Sequence, residues 1–255
     1  MRTRRGGFPG LVLGLVFALA VSAKGVESDS FEAVIEVSRR ALPAVVGIEA
    51  HAPEGSPAAE IFGQNRKGTG MLIDPSGWVL TSNHVVAGAD RIFITWRMAE
   101  GFPATMAGND AQTDLALVRV KGEGFSVLPL GRSTGLRLGE GVVVIGSGAG
   151  KDREVTLGTV NAIGPFVAYW EFMLDRVIQT DAFVRQGYSG GPLLNLRGEV
   201  VGVVSCLARR HPVLRGWSSP LKRRPRFGGA SQPGRGAFQP DMGPSEPAAP
   251  GSARV

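Results

Sequence analysis

The apolar positions of the chain fall into short runs broken by glycine- and proline-containing turns, a pattern typical of β-strands. In the first half, the pattern predicts strands at Ala44–Ala52, Gly68–Ile73, Trp78–Thr81, Arg91–Trp96 and Ala116–Val120. In the second half, it predicts strands at Val142–Ile145, Val155–Ile163, Val177–Thr180, Gly191–Asn195 and Glu199–Ser205. One helix is predicted from a cap at Ser30 to about Ala41, because its apolar residues share one face.

The two groups of strands are separated by a linker around residues 122–137. Short strands in two groups predict an all-β fold of two packed antiparallel six-stranded barrels, about 44–121 and 138–206. The second group supplies five candidate strands where six are expected, which leaves open whether that barrel lacks its last strand. The segment from His51 to about Lys67 is predicted to be an exposed loop.

The composition agrees with a β-rich chain, since 255 residues include 37 glycines and 17 prolines. A single cysteine, Cys206, excludes an internal disulfide. With three histidines and one cysteine, the chain has no Cys or His cluster, which argues against a structural zinc site.

The formal net charge of +6 is distributed unevenly. Residues 207–255 contain nine basic and two acidic residues, whereas residues 24–206 contain 16 basic and 20 acidic residues. The basic excess therefore lies at the two ends and does not indicate a nucleic-acid-binding domain.

The first 23 residues have the layout of a secretory signal peptide. A short basic segment is followed by an apolar run from Phe8 to Val21, and Val21-Ser22-Ala23 offers small residues for cleavage. This run is shorter than the ~20 residues of a membrane span, although an uncleaved signal anchor is the alternative. We expect a periplasmic or secreted protein, an oxidising location that a chain with one cysteine tolerates.

Three separated residues are candidates for chemistry. His84 follows the strand Trp78–Thr81, Asp114 precedes an apolar strand, and Ser189 lies in the glycine-rich stretch Gly187–Pro192. Glycines around Ser189 permit a tight loop that exposes its Oγ and directs N–H groups inward. Each residue alone has an ordinary structural interpretation, as a core histidine, a capping aspartate or a turn serine.

Their order along the chain strengthens the interpretation. Asp114 follows His84 by 30 residues, and Ser189 follows Asp114 by 75. Proteases of the chymotrypsin type use the order His, Asp, Ser, with the serine on the second barrel and the active site between the barrels.

Several segments taken together resemble the HtrA (Deg) family of trypsin-like serine proteases, over about residues 30–205. These are Gly68–Ile73, Leu80–Val86, Thr113–Leu117, Gln179–Ala182 and Gly187–Leu193. The resemblance implies a trypsin-like protease domain over residues 24–206, and it implies quality-control proteolysis of unfolded or damaged envelope proteins without metal or cofactor. It further implies a homotrimer built through the N-terminal segment.

Carried over to this chain, the resemblance implies that Ser189 is the nucleophile, His84 the general base and Asp114 the residue that orients the imidazole. The N–H groups of Gly187 and Ser189 would form the oxyanion hole. Tyr188 departs from the Asn that is common before the serine, which leaves the backbone donor in place. Asp181 is expected to hold the loop ahead of Ser189.

The resemblance ends after Ser205. It implies a further strand with a Gly-Phe-Ala-Ile-Pro-like segment, followed by PDZ modules, and neither is recognisable in residues 207–255. Those residues include eight prolines and seven glycines, so we expect a disordered basic tail. The tail is interpreted either as an out-of-frame or truncated end of a longer protease or as a genuine tail that touches anionic lipid or polyanions.

The leading hypothesis is therefore a serine endopeptidase of unfolded or misfolded envelope proteins. The alternative is a catalytically impaired or truncated relative that acts as a non-hydrolytic binder or chaperone, which the absence of a sixth strand would favour. A nucleic-acid partner would depend on the basic tail alone and is not expected in an exported protein. Contact with a membrane is expected only through the signal sequence or, weakly, through the tail.

Overall fold

The computed structural model of this chain describes residues 31–97, 99–147, 152–168, 172–205 and 217–220. Its helical segments are α1 (31–41), α2 (Pro57–Phe62), α3 (Asn83–Val86) and the 3-10 turns Leu42–Ala44 and Ser133–Gly135. Within these ranges, none of the helices has the length and hydrophobicity needed to span a membrane. The predicted signal peptide, 1–23, lies outside the described residues.

The first barrel is a closed antiparallel sheet of six strands in the order β1-β2-β3-β6-β5-β4. Antiparallel neighbours suit strands that follow one another through short connections. The strands are β1 (Val45–His51), β2 (Asn65–Asp74), β3 (Trp78–Ser82), β4 (Arg91–Trp96), β5 (Ala99–Asp110) and β6 (Leu115–Val120).

The second barrel has the strand order β10-β11-β12-β9-β8-β7. Its strands are β7 (Gly141–Gly146), β8 (Glu154–Ala168), β9 (Phe172–Thr180), β10 (Pro192–Asn195), β11 (Val200–Val204) and β12 (Trp217–Pro220). The predicted all-β fold of two antiparallel barrels is thus confirmed.

The sixth strand of the second barrel, β12, lies within residues 207–255, which the sequence predicted to be a disordered tail; the rest of that tail lies outside the described residues. The backbone of β12 pairs with β11 over three residues and with β9 over two. Its four residues, Trp-Ser-Ser-Pro, show no run of alternating apolar positions that would predict a strand. The open edges of β9 and β11 supply the pairing groups that hold this segment, so only the tertiary structure reveals it.

Two further elements correct the sequence-based assignment. The strand β5 was not predicted, because Pro103 and two glycines interrupt its apolar pattern. It is nevertheless paired with β4 on one side and β6 on the other, with register shifts that accommodate its irregularity. The segment predicted as a loop from His51 to Lys67 contains α2, which Ser56 caps by accepting a hydrogen bond from the Ala59 N–H.

The two barrels pack through a shared apolar core. Buried side chains of the second barrel, among them Val143, Ile145 and Leu194, belong to the same cluster as the interior of the first barrel. Arg153 adds a polar tie, since its guanidinium donates to the carbonyls of Val45 and Thr95, and burial lowers its pKa below the usual value. The two barrels are therefore held in a fixed relation.

Candidate active site

The first functional side chain, His84, lies in the single helical turn α3 directly after β3. The Asn83 N–H donates to the carbonyl of Asp114 over 2.9 Å, and Val85 and Val86 are buried below. The backbone on both sides of His84 is thus anchored, while its side chain remains 14% exposed.

Asp114 holds the imidazole of His84 from within the first barrel. Its carboxylate is almost fully buried and lies 2.8 Å (Oδ2) and 3.0 Å (Oδ1) from His84 Nδ1. Oδ1 also accepts the backbone N–H of His84 over 2.9 Å. The backbone of Asp114 has a φ of 55°, a left-handed conformation that aspartate tolerates better than most residues and that often occurs at functional sites.

Ser205 is a site residue that the sequence did not reveal. Its Oγ donates to Asp114 Oδ2 over 2.9 Å, across 91 residues of sequence. In the sequence, Ser205 is only a hydroxyl residue that follows the apolar strand β11, and such residues are too common to indicate a role. The Asp114 carboxylate thus accepts from three donors, the Nδ1–H and backbone N–H of His84 and the Ser205 hydroxyl, as a buried charge requires.

Two other residues, Arg66 and Phe62, lie near His84, and the sequence predicted neither as part of the site. The buried guanidinium of Arg66 donates to the carbonyls of His84 (3.0 Å) and Ala87 (2.6 Å), which fixes the end of α3. Burial lowers the pKa of Arg66 below its usual value, and its Nε lacks a hydrogen-bond partner within the described part of the chain. From α2, the ring of Phe62 lies with its centroid 6.4 Å from that of His84.

The loop that carries Ser189 lies against β2 and near the end of β3, the strand that precedes His84. The Ser189 carbonyl accepts the Thr69 N–H over 2.8 Å, and the Gly190 N–H donates to the Val204 carbonyl over 2.7 Å. Ser82, two residues before His84, donates its Oγ to the same Val204 carbonyl. Ser189 itself is 5% exposed.

Thr69 joins the first barrel to this loop. Its Oγ donates to the Gly187 carbonyl over 2.7 Å and accepts the N–H of Ser147 over 2.8 Å. Its own carbonyl accepts the Thr81 hydroxyl over 2.7 Å. One fully buried threonine therefore connects β2, β3, the end of β7 and the Ser189 loop.

Asp181 lies ahead of the loop and contacts β8. Its carboxylate accepts the N–H of Thr159 over 2.5 Å and the Thr159 hydroxyl over 3.2 Å. These bonds tie the segment that leads into the Ser189 loop to the barrel. They are the contacts expected of a structural residue.

Gly190 occupies a position with no room for a side chain. Its φ is 88°, and a Cβ there would lie 2.0 Å from the Thr69 carbonyl oxygen and 2.1 Å from the Thr81 hydroxyl. Both oxygens are held by the hydrogen bonds described above, so neither can move away cheaply.

We expect Gly190→Ala to lower the free energy of unfolding by more than about 4 kcal/mol, because backbone strain and steric overlap add. The matched control is Gly139→Ala, at a φ of 77° with nothing within 4 Å of the new Cβ. The control should cost only the conformational strain, about 1–2 kcal/mol. Urea unfolding of both variants measures the difference, and equal costs would contradict the close packing at Gly190.

The structure thus brings His84 and Asp114 into direct hydrogen-bond contact and places the Ser189 loop beside β3, the strand that precedes His84. Gly187 and Tyr188 lie in the same loop. Across the described ranges, no three His, Cys, Asp or Glu side chains form a group that could hold a metal. The segment 206–216, where the sequence resemblance would place a pocket wall, lies outside the described residues.

Comparison with protein families gives a match to the trypsin-like peptidase domain over residues 68–203. A probable periplasmic serine endoprotease, DegP-like, of Pseudomonas fluorescens is 37% identical over 229 residues, covering 77% of this chain. A DegP-like protein of the same description from Hahella chejuensis is 43% identical over 143 residues, covering 56% of this chain. The matches span 47% and 30% of the lengths of these two relatives.

Solved structures share the fold. The HtrA-type protease AlgW with a tripeptide superposes with a TM-score of 0.63 at 28% identity, covering 73% of this chain and 59% of that one. The crystal structure of Deg5 superposes with a TM-score of 0.61 at 25% identity, covering 74% of this chain and 88% of that one.

Proposed function

Since this chain belongs to the HtrA/DegP-like family of trypsin-like serine proteases, we propose that it is a serine endopeptidase with His84, Asp114 and Ser189 as its catalytic triad. The observation that carries the proposal is the bond between His84 Nδ1 and the buried Asp114 carboxylate, next to the Ser189 loop. Because Nδ1–H donates to the carboxylate, the lone pair of His84 is on Nε2, where a general base needs it.

The reaction begins when Ser189 Oγ attacks the scissile carbonyl and its proton passes to His84 Nε2. The N–H groups of Gly187 and Ser189 stabilise the oxyanion, each donor contributing about 10²–10³ in kcat in comparable proteases. His84 then returns the proton to the leaving amine, which departs as the acyl-enzyme forms. Water, deprotonated by His84, hydrolyses that ester and regenerates the serine.

Asp114 contributes by orientation and charge. Its oxygens accept the Nδ1–H and the backbone N–H of His84, so the ring cannot rotate without breaking the Nδ1–H bond. Its negative charge stabilises the imidazolium that forms as Ser189 attacks. Ser205 keeps the carboxylate in place through its own hydrogen bond.

We propose unfolded or damaged proteins of the bacterial envelope as substrates. Two observations support this choice: relatives described as periplasmic serine endoproteases, and solved HtrA-type proteases with a tripeptide or a decapeptide. The pattern of residues 1–23 supports a periplasmic or secreted location. A homotrimer through α1 is supported by Phe31 and Ile35, apolar side chains that are 63% and 51% exposed on that helix.

The non-hydrolytic alternative would be favoured by a second barrel without its sixth strand. The short strand β12 pairs with β11 and β9 at that position, which supports the enzyme over a binder.

A fluorophosphonate probe tests the proposal directly. The native chain is expected to be labelled at Ser189, as mapped by mass spectrometry, because an activated serine reacts with the phosphorus centre. Heat-unfolded chain and the Ser189→Ala variant are the controls, and both should remain unlabelled. Absence of label on the native chain, or label on another serine, would contradict the proposal.

A further inference from the structure

Tyr188, the residue between the two proposed oxyanion donors, is held by the carboxylate of Glu154, which Arg185 also binds. Its phenol donates to Glu154 Oε2 over 2.6 Å. The Arg185 Nε donates to the same oxygen over 2.8 Å, and the Arg185 NH2 group pairs with the other oxygen, Oε1. Glu154, at the start of β8, therefore ties residues 185 and 188 of the loop to the second barrel.

The ring of Tyr188 is fixed as firmly as its hydroxyl. The side chain is fully buried, and it lies so close to Gly146 that a Cβ there would be 2.2 Å from the ring. Gly146 is also the backbone partner of Glu154 in the β7–β8 ladder. The ring and the hydroxyl of Tyr188 are thus both held at the same end of the same pair of strands.

The backbone of Tyr188 transmits this fixed position to Ser189. Its N–H donates to the Arg185 carbonyl over 3.1 Å, and its carbonyl accepts the Gly191 N–H over 2.9 Å. In a planar trans peptide the C=O and the following N–H point in opposite directions. Holding the carbonyl of Tyr188 therefore sets the direction of the Ser189 N–H.

We propose that Glu154, Arg185 and Tyr188, named here the Tyr188 brace, are positioning residues that preset the oxyanion hole. The inference rests on the proposed serine-protease function. Glu154 and Arg185 are 39% and 46% exposed, so their ion pair contributes little to global stability. The brace acts instead on catalysis, because an N–H donor must already point at the oxyanion to stabilise it.

The test uses Tyr188→Phe, which removes only the hydroxyl, and Glu154→Gln, which removes the charge shared with Arg185. Each is expected to lower kcat on a fluorogenic peptide by about tenfold, less than the 10²–10³ of a lost donor, with KM changed less than twofold. The rate of fluorophosphonate labelling should fall in the same proportion, since the phosphoryl oxygen occupies the same hole. The double variant should lose no more than either single one, because both break one unit.

Glu49→Gln is the matched control, because Glu49 forms a half-exposed pair with Lys67 in the first barrel, away from the loop. It should leave kcat within twofold of the parent, and urea midpoints of all variants separate loss of catalysis from loss of folding. A Tyr188→Phe kcat equal to that of the control, or losses that multiply in the double variant, would overturn the brace while the native chain still labels. A native chain that takes no label overturns the proposed function itself.

Discussion

Ser189→Ala is expected to lower kcat by about 10⁶, and adding His84→Ala to it is expected to cost almost nothing more. The serine supplies the nucleophile and the histidine accepts its proton in the same step, so removing either ends covalent catalysis. The residual rate, about 10³–10⁴ above water, would come from the oxyanion hole and substrate binding. Steady-state kinetics on a fluorogenic peptide and on an unfolded protein measure both variants.

The control for this prediction is Ser38→Ala. Ser38 donates its Oγ to the Val34 carbonyl within α1, far in sequence from the site, so its loss should leave kcat unchanged. Circular dichroism and urea unfolding verify that each variant remains folded. If Ser189→Ala keeps more than about 1% of the parent kcat, or if the double variant is much slower than either single one, the triad assignment is wrong.

Asp114→Asn is expected to lower kcat by about 10⁴ with the fold retained. Oδ1 accepts the His84 backbone N–H, so the amide oxygen of the asparagine will occupy that position. Its NH₂ group then replaces Oδ2 and donates to His84 Nδ1, which must become an acceptor. The proton of the imidazole moves to Nε2, and the ring can no longer accept the proton of Ser189.

Asp110→Asn is the matched change of a carboxylate to an amide four residues away. Asp110 accepts hydrogen bonds from the Gln112 N–H and the Thr113 hydroxyl at the surface, and it makes no bond to His84 among the contacts described for it. We expect kcat within about threefold of the parent for this control. Equal losses in the two variants would show that the turn before β6, and not the tautomer of His84, controls the rate.

The strand pattern could be predicted from the sequence to the extent that each strand shows its own apolar spacing. The strands of the first barrel with clear Val- and Ile-rich runs were found, whereas β5 was missed because Pro103 and its glycines hide the spacing. The closing strand β12 was missed because its four residues are held by the edges of β9 and β11. Both strands depend on partners that are distant along the chain.

The residues of the candidate site also divide into those that the sequence predicted and those that only the structure revealed. His84, Asp114 and Ser189 were predicted because their residue types recur in a fixed order with recognisable neighbours. Ser205, Thr69 and Arg66 were not predicted as site residues, because none of them has a distinctive spacing. Ser205 and Thr69 are ordinary hydroxyl residues of apolar strands, and Arg66 lies in a stretch predicted to be a loop. Their contributions appear only as hydrogen bonds to Asp114, to the Gly187 carbonyl and to the His84 carbonyl.

By itself, the sequence determined the strand period, the two groups of strands and the three residues with the chemistry of a serine protease. Only the tertiary structure decided how the second barrel closes, what holds the Asp114 carboxylate and which contacts fix the loop between Arg185 and Gly191. The physical reason is the distance along the chain over which each interaction acts. Apolar alternation is a local property of a strand, whereas the bonds of Ser205 to Asp114 and of Thr69 to Gly187 join residues 91 and 118 positions apart.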